Sequence, residues 1–136
     1  MQKLEDMKEL LNDCIDTAEE YVPKLLHGLQ SAAGHLENSK KQEALTILGQ
    51  AMDGIKWFHT VVTGMEKWPD NMETETIRKL RQQLDDALEQ LIQALENNDF
   101  FLINDILIYD LIPSINNLFQ LLIDDKLGGR IEIHGL

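Results

Sequence analysis

Apolar residues recur at intervals of three and four along most of the chain, the spacing that gathers them on one face of a helix. Over residues 3–37 the stripe reads Leu4, Met7, Leu11, Cys14, Ala18, Tyr21, Leu25, Leu29, Ala32 and Leu36. Pro23 falls inside it, and because the stripe keeps its phase across the proline a kinked long helix is expected, with a break at Tyr21–Val22 as the alternative. Ser39 followed by Gln42 has the form of a capping box. It precedes a second stripe through Leu45, Leu48, Met52, Ile55, His59 and Val62 that runs to about Lys67 and is ended by Pro69. Asp70 and Glu73 repeat the capping spacing ahead of a third stripe, Ile77, Leu80, Leu84, Leu88, Leu91 and Leu95, placed over 71–96. Asn97, Asn98 and Asp99 form the next break, with Asp99 as cap for a fourth segment over about 100–124. That segment is the most apolar of the four and holds Pro113, which is expected to kink it.

Four amphipathic helices on short connections predict an all-α fold, an antiparallel up-and-down four-helix bundle with Pro-kinked first and fourth helices. The domain is expected over 1–127. Gly128 and Gly129 end the helical pattern and leave 128–136 as a loosely held tail, with a brief strand-like alternation at Ile131 and Ile133. No internal repeat, low-complexity tract or linker is evident in the sequence.

The length of 136 residues suits one domain, and 43% hydrophobic with 26% charged residues is an ordinary globular balance. No uninterrupted apolar run approaches the ~20 residues of a membrane span, and the first residues lack a basic-then-apolar leader, so a cytoplasmic protein without a membrane partner is expected. The single cysteine, Cys14, leaves no intrachain disulfide and no site of several thiolates. Twenty-four acidic against 12 basic residues give a formal charge of −12, which repels nucleic-acid phosphates and favours basic partners. Most of the acidic residues of the first segment fall between its stripe positions, as a solvated face does. The segment 39–69 alone carries no negative excess.

The chemistry-bearing residues point to no active site. Di-metal bundles use Glu-x-x-His, but three residues before His27, His35, His59 and His134 stand Lys24, Ala32, Lys56 and Ile131. There is no zinc pattern, no calcium loop and no phosphate-binding glycine loop; Gly49, Gly54 and Gly64 are dispersed in a helix. No cofactor, metal ligand or catalytic residue is therefore assigned. Cys14 reads as a buried inert thiol, and His59 as a histidine satisfied by a neighbour. Asn104 projects into the main face of the fourth segment, where a buried amide fixes register.

Two segments carry more apolar surface than one face accounts for. In the second, Trp57, Val61, Gly64 and Trp68 form a row offset from the core stripe. In the fourth, Phe100, Ile103, Leu107, Leu111, Ile115, Leu118 and Leu122 make the main face, while Leu102, Ile106 and Tyr109 make an opposite row. Either these rows are covered within the molecule, or they pair with another protein or a second copy of the chain.

The stretch Ala94–Phe100 followed by Asp105–Pro113 resembles a recurring segment of small, uncharacterised helical-bundle proteins of Gram-positive bacteria, a resemblance that implies a fold and no activity. In size, acidity and helical make-up the chain is also similar in type to flagellar and type III export chaperones. The function expected is a non-enzymatic, acidic protein-interaction module, chaperone-like or adaptor-like, that binds a helical or disordered segment or itself. Two alternatives are an enzyme, small-molecule or metal-dependent, with a core site near His59 and Asn104, and an immunity or inhibitor protein whose carboxylates mimic nucleic acid.

Overall fold

The computed structural model describes the backbone of residues 2–67 and 74–134, and side chains over 5–67 and 74–124. Among these residues the protein is all-α: four helices and no strand. Helix α1 spans Gln2–Glu37, α2 Lys41–Glu66 and α3 Thr74–Glu96. The fourth helix is continuous but composite: α4, Phe100–Ile106, passes through a π turn over Leu107–Leu111 into α5, Ile112–His134. Helix α1 packs on α2, α2 on α3, α3 on the fourth helix, and the fourth helix back on α1.

Ala33, Gly54 and Val61 aside, the core positions of the first three helices alternate between steps of three and four. They are Ile15, Ala18, Val22, Leu25, Leu29 and Ala32 in α1, and Ala44, Leu48, Ala51, Ile55, Phe58, Val62 and Met65 in α2. In α3, Ile77, Leu84, Leu91, Ala87 and Ala94 are buried and Leu80 packs at the edge of the same face. This is the 3.5-residue period of helices that pack nearly side by side.

The fourth helix departs from that period. Ile103, Leu107, Leu111 and Ile115 are buried at three successive steps of four, which overrun an ideal 3.6-residue turn by about 1.2 residues. The π turn takes up the excess, since Ile112 N–H bonds Leu107 C=O, five residues back, in place of the usual four. It lies just before Pro113, whose ring would meet the residue-109 carbonyl in a regular helix. Ser114, buried, donates its hydroxyl to the Asp110 carbonyl at 2.6 Å.

Several expectations change. Helix α1 runs without interruption through Pro23, so the break at Tyr21–Val22 is absent. Gly128 and Gly129 do not end the last helix, which continues to His134 with no strand-like stretch at 131–133. The Ser39–Gln42 capping box is not formed. Ser39 instead sits in the left-handed region (φ 63°) as the residue that closes α1, with Lys40 N–H on His35 C=O (2.7 Å) and Ser39 N–H on Leu36 C=O (3.1 Å). The α3 end repeats this closure: Asn98 has φ 52°, Asp99 N–H bonds Ala94 C=O (3.0 Å) and Asn98 N–H bonds Leu95 C=O (3.2 Å). Both closures follow the same Leu-Glu-Asn tripeptide, at 36–38 and 95–97, a short internal likeness passed over in the sequence. Asp99 caps the fourth helix as expected, its carboxylate accepting from Leu102 N–H at 3.2 Å. The Asp70 cap and Trp68 lie outside the described residues.

Candidate interaction surface

Of the α2 row, the described residues Trp57, Val61 and Gly64 are partly or wholly buried. Val61 is 4% exposed, and Trp57 is half-buried with its ring edge-on to Tyr21 of α1, centroids 5.8 Å apart at 87°. A Cβ at Gly64 would come within 3.0 Å of Leu11, and one at Gly54 would overlap the Tyr21 hydroxyl. Helix α1 thus lies over this row, and the glycines let it approach.

The outer row of the fourth helix is divided. Ile106 is buried at 1% exposure, which corrects its placement, whereas Leu102 is 44% and Tyr109 71% exposed. Among the described residues, the most exposed apolar side chain of this helix is one not assigned to the row: Phe101, at 90%. Phe100 and Phe101 are adjacent, so one must turn outward; Phe100 packs inward beneath the Lys41 ammonium, 4.7 Å from its ring centre. Phe101, Asp105 and Tyr109 follow at steps of four, which sets an exposed carboxylate between two exposed aromatic rings.

Beside Phe101 the two similar helix closures enclose a pocket of about 580 Å³, walled by Leu36, Phe100 and Phe101 and edged by Glu37, Lys41 and Asp99. Asn104 lines it. Its Oδ1 is shut off from solvent and accepts no hydrogen bond, a condition that costs about 1–3 kcal/mol. A narrower groove of about 270 Å³ runs beside Tyr109 between α3 and the fourth helix, with Asp86, Gln90 and Asp110 along it.

On the opposite side of α3, a polar network joins it to α2. His59 Nε2 donates to Asp85 Oδ1 (2.7 Å), and Arg81 Nη1 donates to Asp85 Oδ2 (2.6 Å). Arg81 also grips Glu66 with two bonds, Nε to Oε2 (2.5 Å) and Nη2 to Oε1 (3.2 Å). The Arg81 hydrogen bonds hold the Glu66 carboxyl below its ordinary range despite its burial, and raise Arg81 in turn. A groove of about 750 Å³ passes His59. Thr63, 3.5 Å from Nδ1, donates its hydroxyl to the His59 carbonyl at 2.9 Å. His59 and Asn104 line different pockets. Cys14 is half-buried, and burial with the nearby Asp13 raises its thiol pKa. Among the described residues no three His, Cys, Asp or Glu side chains come together.

The family model of the domain of unknown function DUF8042 matches residues 13–121. The chain belongs to this family. The DUF8042 match opens in α1, two residues before Ile15, and closes at Leu121, so it takes in the packed part of all four helices, the π turn and the pocket at Asn104. No curated protein and no solved structure matches the chain.

By length and composition Phe100–Asp124 could cross a membrane, although its apolar residues are interrupted by Asn104, Asp105 and Asp110. The core helix of a packed domain meets the same criterion, and the Ile103–Leu122 face of this one is covered by α1 and α3.

Proposed function

We propose that this DUF8042 protein is a non-enzymatic protein-interaction module whose docking face is the outer side of the fourth helix. The observation that carries the reading is the exposure of Phe101 and Tyr109 on one helix face with Asp105 between them. Exposed aromatic side chains gathered in one place mark contact surfaces rather than core. A carboxylate at their centre, on a chain of charge −12, suits a basic amphipathic helical segment, with apolar anchors over the rings and a Lys or Arg on Asp105. We read the four helices as an antiparallel up-and-down bundle that presents this face, working in the cytoplasm as an adaptor or an export-chaperone-like protein. The fourth helix then serves as a core helix, with neither membrane nor nucleic acid as partner.

The test is a charge substitution on the face. Phe101→Glu combined with Tyr109→Glu, both at exposed positions, should leave the helical circular dichroism and the unfolding midpoint of the native chain unchanged. The double variant should lose the partner that the native chain retains, and association should weaken as salt rises. Undiminished association by the double variant would refute the assignment.

A further inference from the structure

Helix α3 carries adjacent carboxylates on its two flanks. Asp85 faces α2, where His59 and Arg81 donate to it, while Asp86, about 100° further round the helix, lies along the groove of about 270 Å³ between α3 and the fourth helix. Asp110 lines the same groove from the fourth helix; the Ser114 hydroxyl bonds its main-chain carbonyl, not its carboxylate. Among the described residues neither the Asp86 nor the Asp110 carboxylate has a hydrogen bond or an ion pair, and no lysine, arginine or histidine lines the groove. Tyr109, 71% exposed, lines it as well, together with the apolar Ala87 and Pro113. We infer that the groove receives a guanidinium: the side chain of an arginine on the docked segment, its N–H groups given to Asp86 and Asp110 and its plane laid on the Tyr109 ring. This rests on the docking reading above, which supplies the segment.

The lining selects a cation, because two carboxylates from different helices face one groove with no positive charge beside them. It falls short of a calcium site, which takes about six to eight oxygens. Between the two cationic side chains, an ammonium is a compact, strongly hydrated point charge. A guanidinium is weakly hydrated, spreads its donors in a plane that serves acceptors on two helices, and stacks on an aromatic face. Its aliphatic stem then lies along Ala87 and Pro113. The opposite flank of α3 already shows this pairing, where Arg81 reaches Glu66 on α2 and Asp85 on its own helix. There the arginine is the chain's own; beside Tyr109 the partner brings it.

Small probes test the groove and peptides test the segment. Nα-Acetylarginine N-methylamide titrated into the 15N-labelled full chain should shift the amide signals of Asp86, Gln90, Tyr109 and Asp110 as one saturable set. The lysine analogue should bind about threefold more weakly or worse, and the citrulline analogue, of similar shape without the charge, should not saturate these signals. Asp86→Asn with Asp110→Asn, both at exposed positions, should weaken the arginine probe about tenfold in a folded protein. Glu89→Gln with Glu96→Gln, the same change of net charge on the His59 side of α3, should leave it within about twofold. Of two amphipathic helical peptides of equal charge, one built on arginine and one on lysine, the first should bind about fivefold more tightly, and the Asp86–Asp110 double variant should lose that preference. Absence of the saturable set, equal binding of the lysine probe, or equal weakening by the two double variants overturns the groove assignment, while the charge-substitution test of the outer face still decides the docking reading. Probe binding with no arginine preference in the peptides overturns the partner assignment, because the groove then serves a free guanidinium compound.

Discussion

Replacing Asn104 by leucine should make the protein more stable. The side chain is half-buried, and its amide oxygen is out of reach of water with no donor on it, so the folded state bears a desolvation cost of about 1–3 kcal/mol that the unfolded chain does not. Leucine is close in shape, carries no polar atom and would meet an apolar wall of Leu36, Phe100 and Phe101. Allowing for some loss at the amide nitrogen, Asn104→Leu should add about 1–2 kcal/mol. In equilibrium urea unfolding followed by circular dichroism, with a slope of about 2 kcal/mol/M, the midpoint should rise by about 0.5–1 M at unchanged slope. Asn104→Asp should move it the other way, since a carboxylate with no partner is worse off when buried than an amide. A destabilisation of 1 kcal/mol or more by leucine would refute the reasoning, for it would mean that the amide makes a structural bond that the fold needs.

Gly54→Ala should cost about 1–3 kcal/mol in thermal unfolding, because the new methyl overlaps the Tyr21 hydroxyl and forces α1 off α2, whereas Gly49→Ala, with open space around it, should gain up to about 1 kcal/mol from helix propensity. Ser39→Gly should stabilise by about 0.5–1 kcal/mol by relieving a left-handed conformation at a non-glycine residue; an unchanged melting temperature would argue against the α1 closure described. Glu66 has its pKa lowered by Arg81, so its contribution is complete above the ordinary value of 4.5 and is lost as pH falls through the depressed one. Glu66→Gln should therefore flatten the acid limb of a stability–pH curve below about 4.5 and leave its shape near neutrality unaltered. Cys14, raised by burial, should react with a thiol reagent at pH 7 more slowly than a free cysteine, and at the free rate once the protein is unfolded in urea.

The helical class and the helix positions were legible because periodicity is written into the sequence and needs no partner to be read. The exact faces were less so. In α2 the bulkier Leu45 and Met52 drew the stripe toward themselves, while the buried positions beside them are Ala44 and Ala51, small residues that let α1 come close. The offset row of Trp57, Val61 and Gly64 signalled excess apolar surface correctly, but a helix flanked by two neighbours needs a wide arc, and α1 covers it. On the fourth helix Leu102 and Tyr109 were placed outside and are exposed; Ile106 was misplaced, and Phe101 was missed because nothing in the pair Phe100–Phe101 says which ring turns outward. The π turn had a readable sign in the three consecutive steps of four from Ile103 to Ile115, a run that spans Pro113. Of the Glu66–Arg81–Asp85–His59 network only the Arg81–Asp85 pair, four residues apart on α3, had a sign in the sequence; the Glu66–Arg81 and His59–Asp85 pairs join different helices and depend on how those helices align.

A helix that holds a surplus residue can give it up. Deleting Tyr109 would return the stretch around Leu107–Leu111 to ordinary helical register and keep Ile103 and Leu107 on the same side as Ile115 and Leu118, whereas a deletion inside α1, α2 or α3 would swing every later side chain of that helix by about 100°. The shortened chain would keep its interior and forfeit the tyrosine displayed outside. The surplus residue therefore belongs to the protein's exterior, and relatives of different length in this turn should differ in what they recognise before they differ in how they fold.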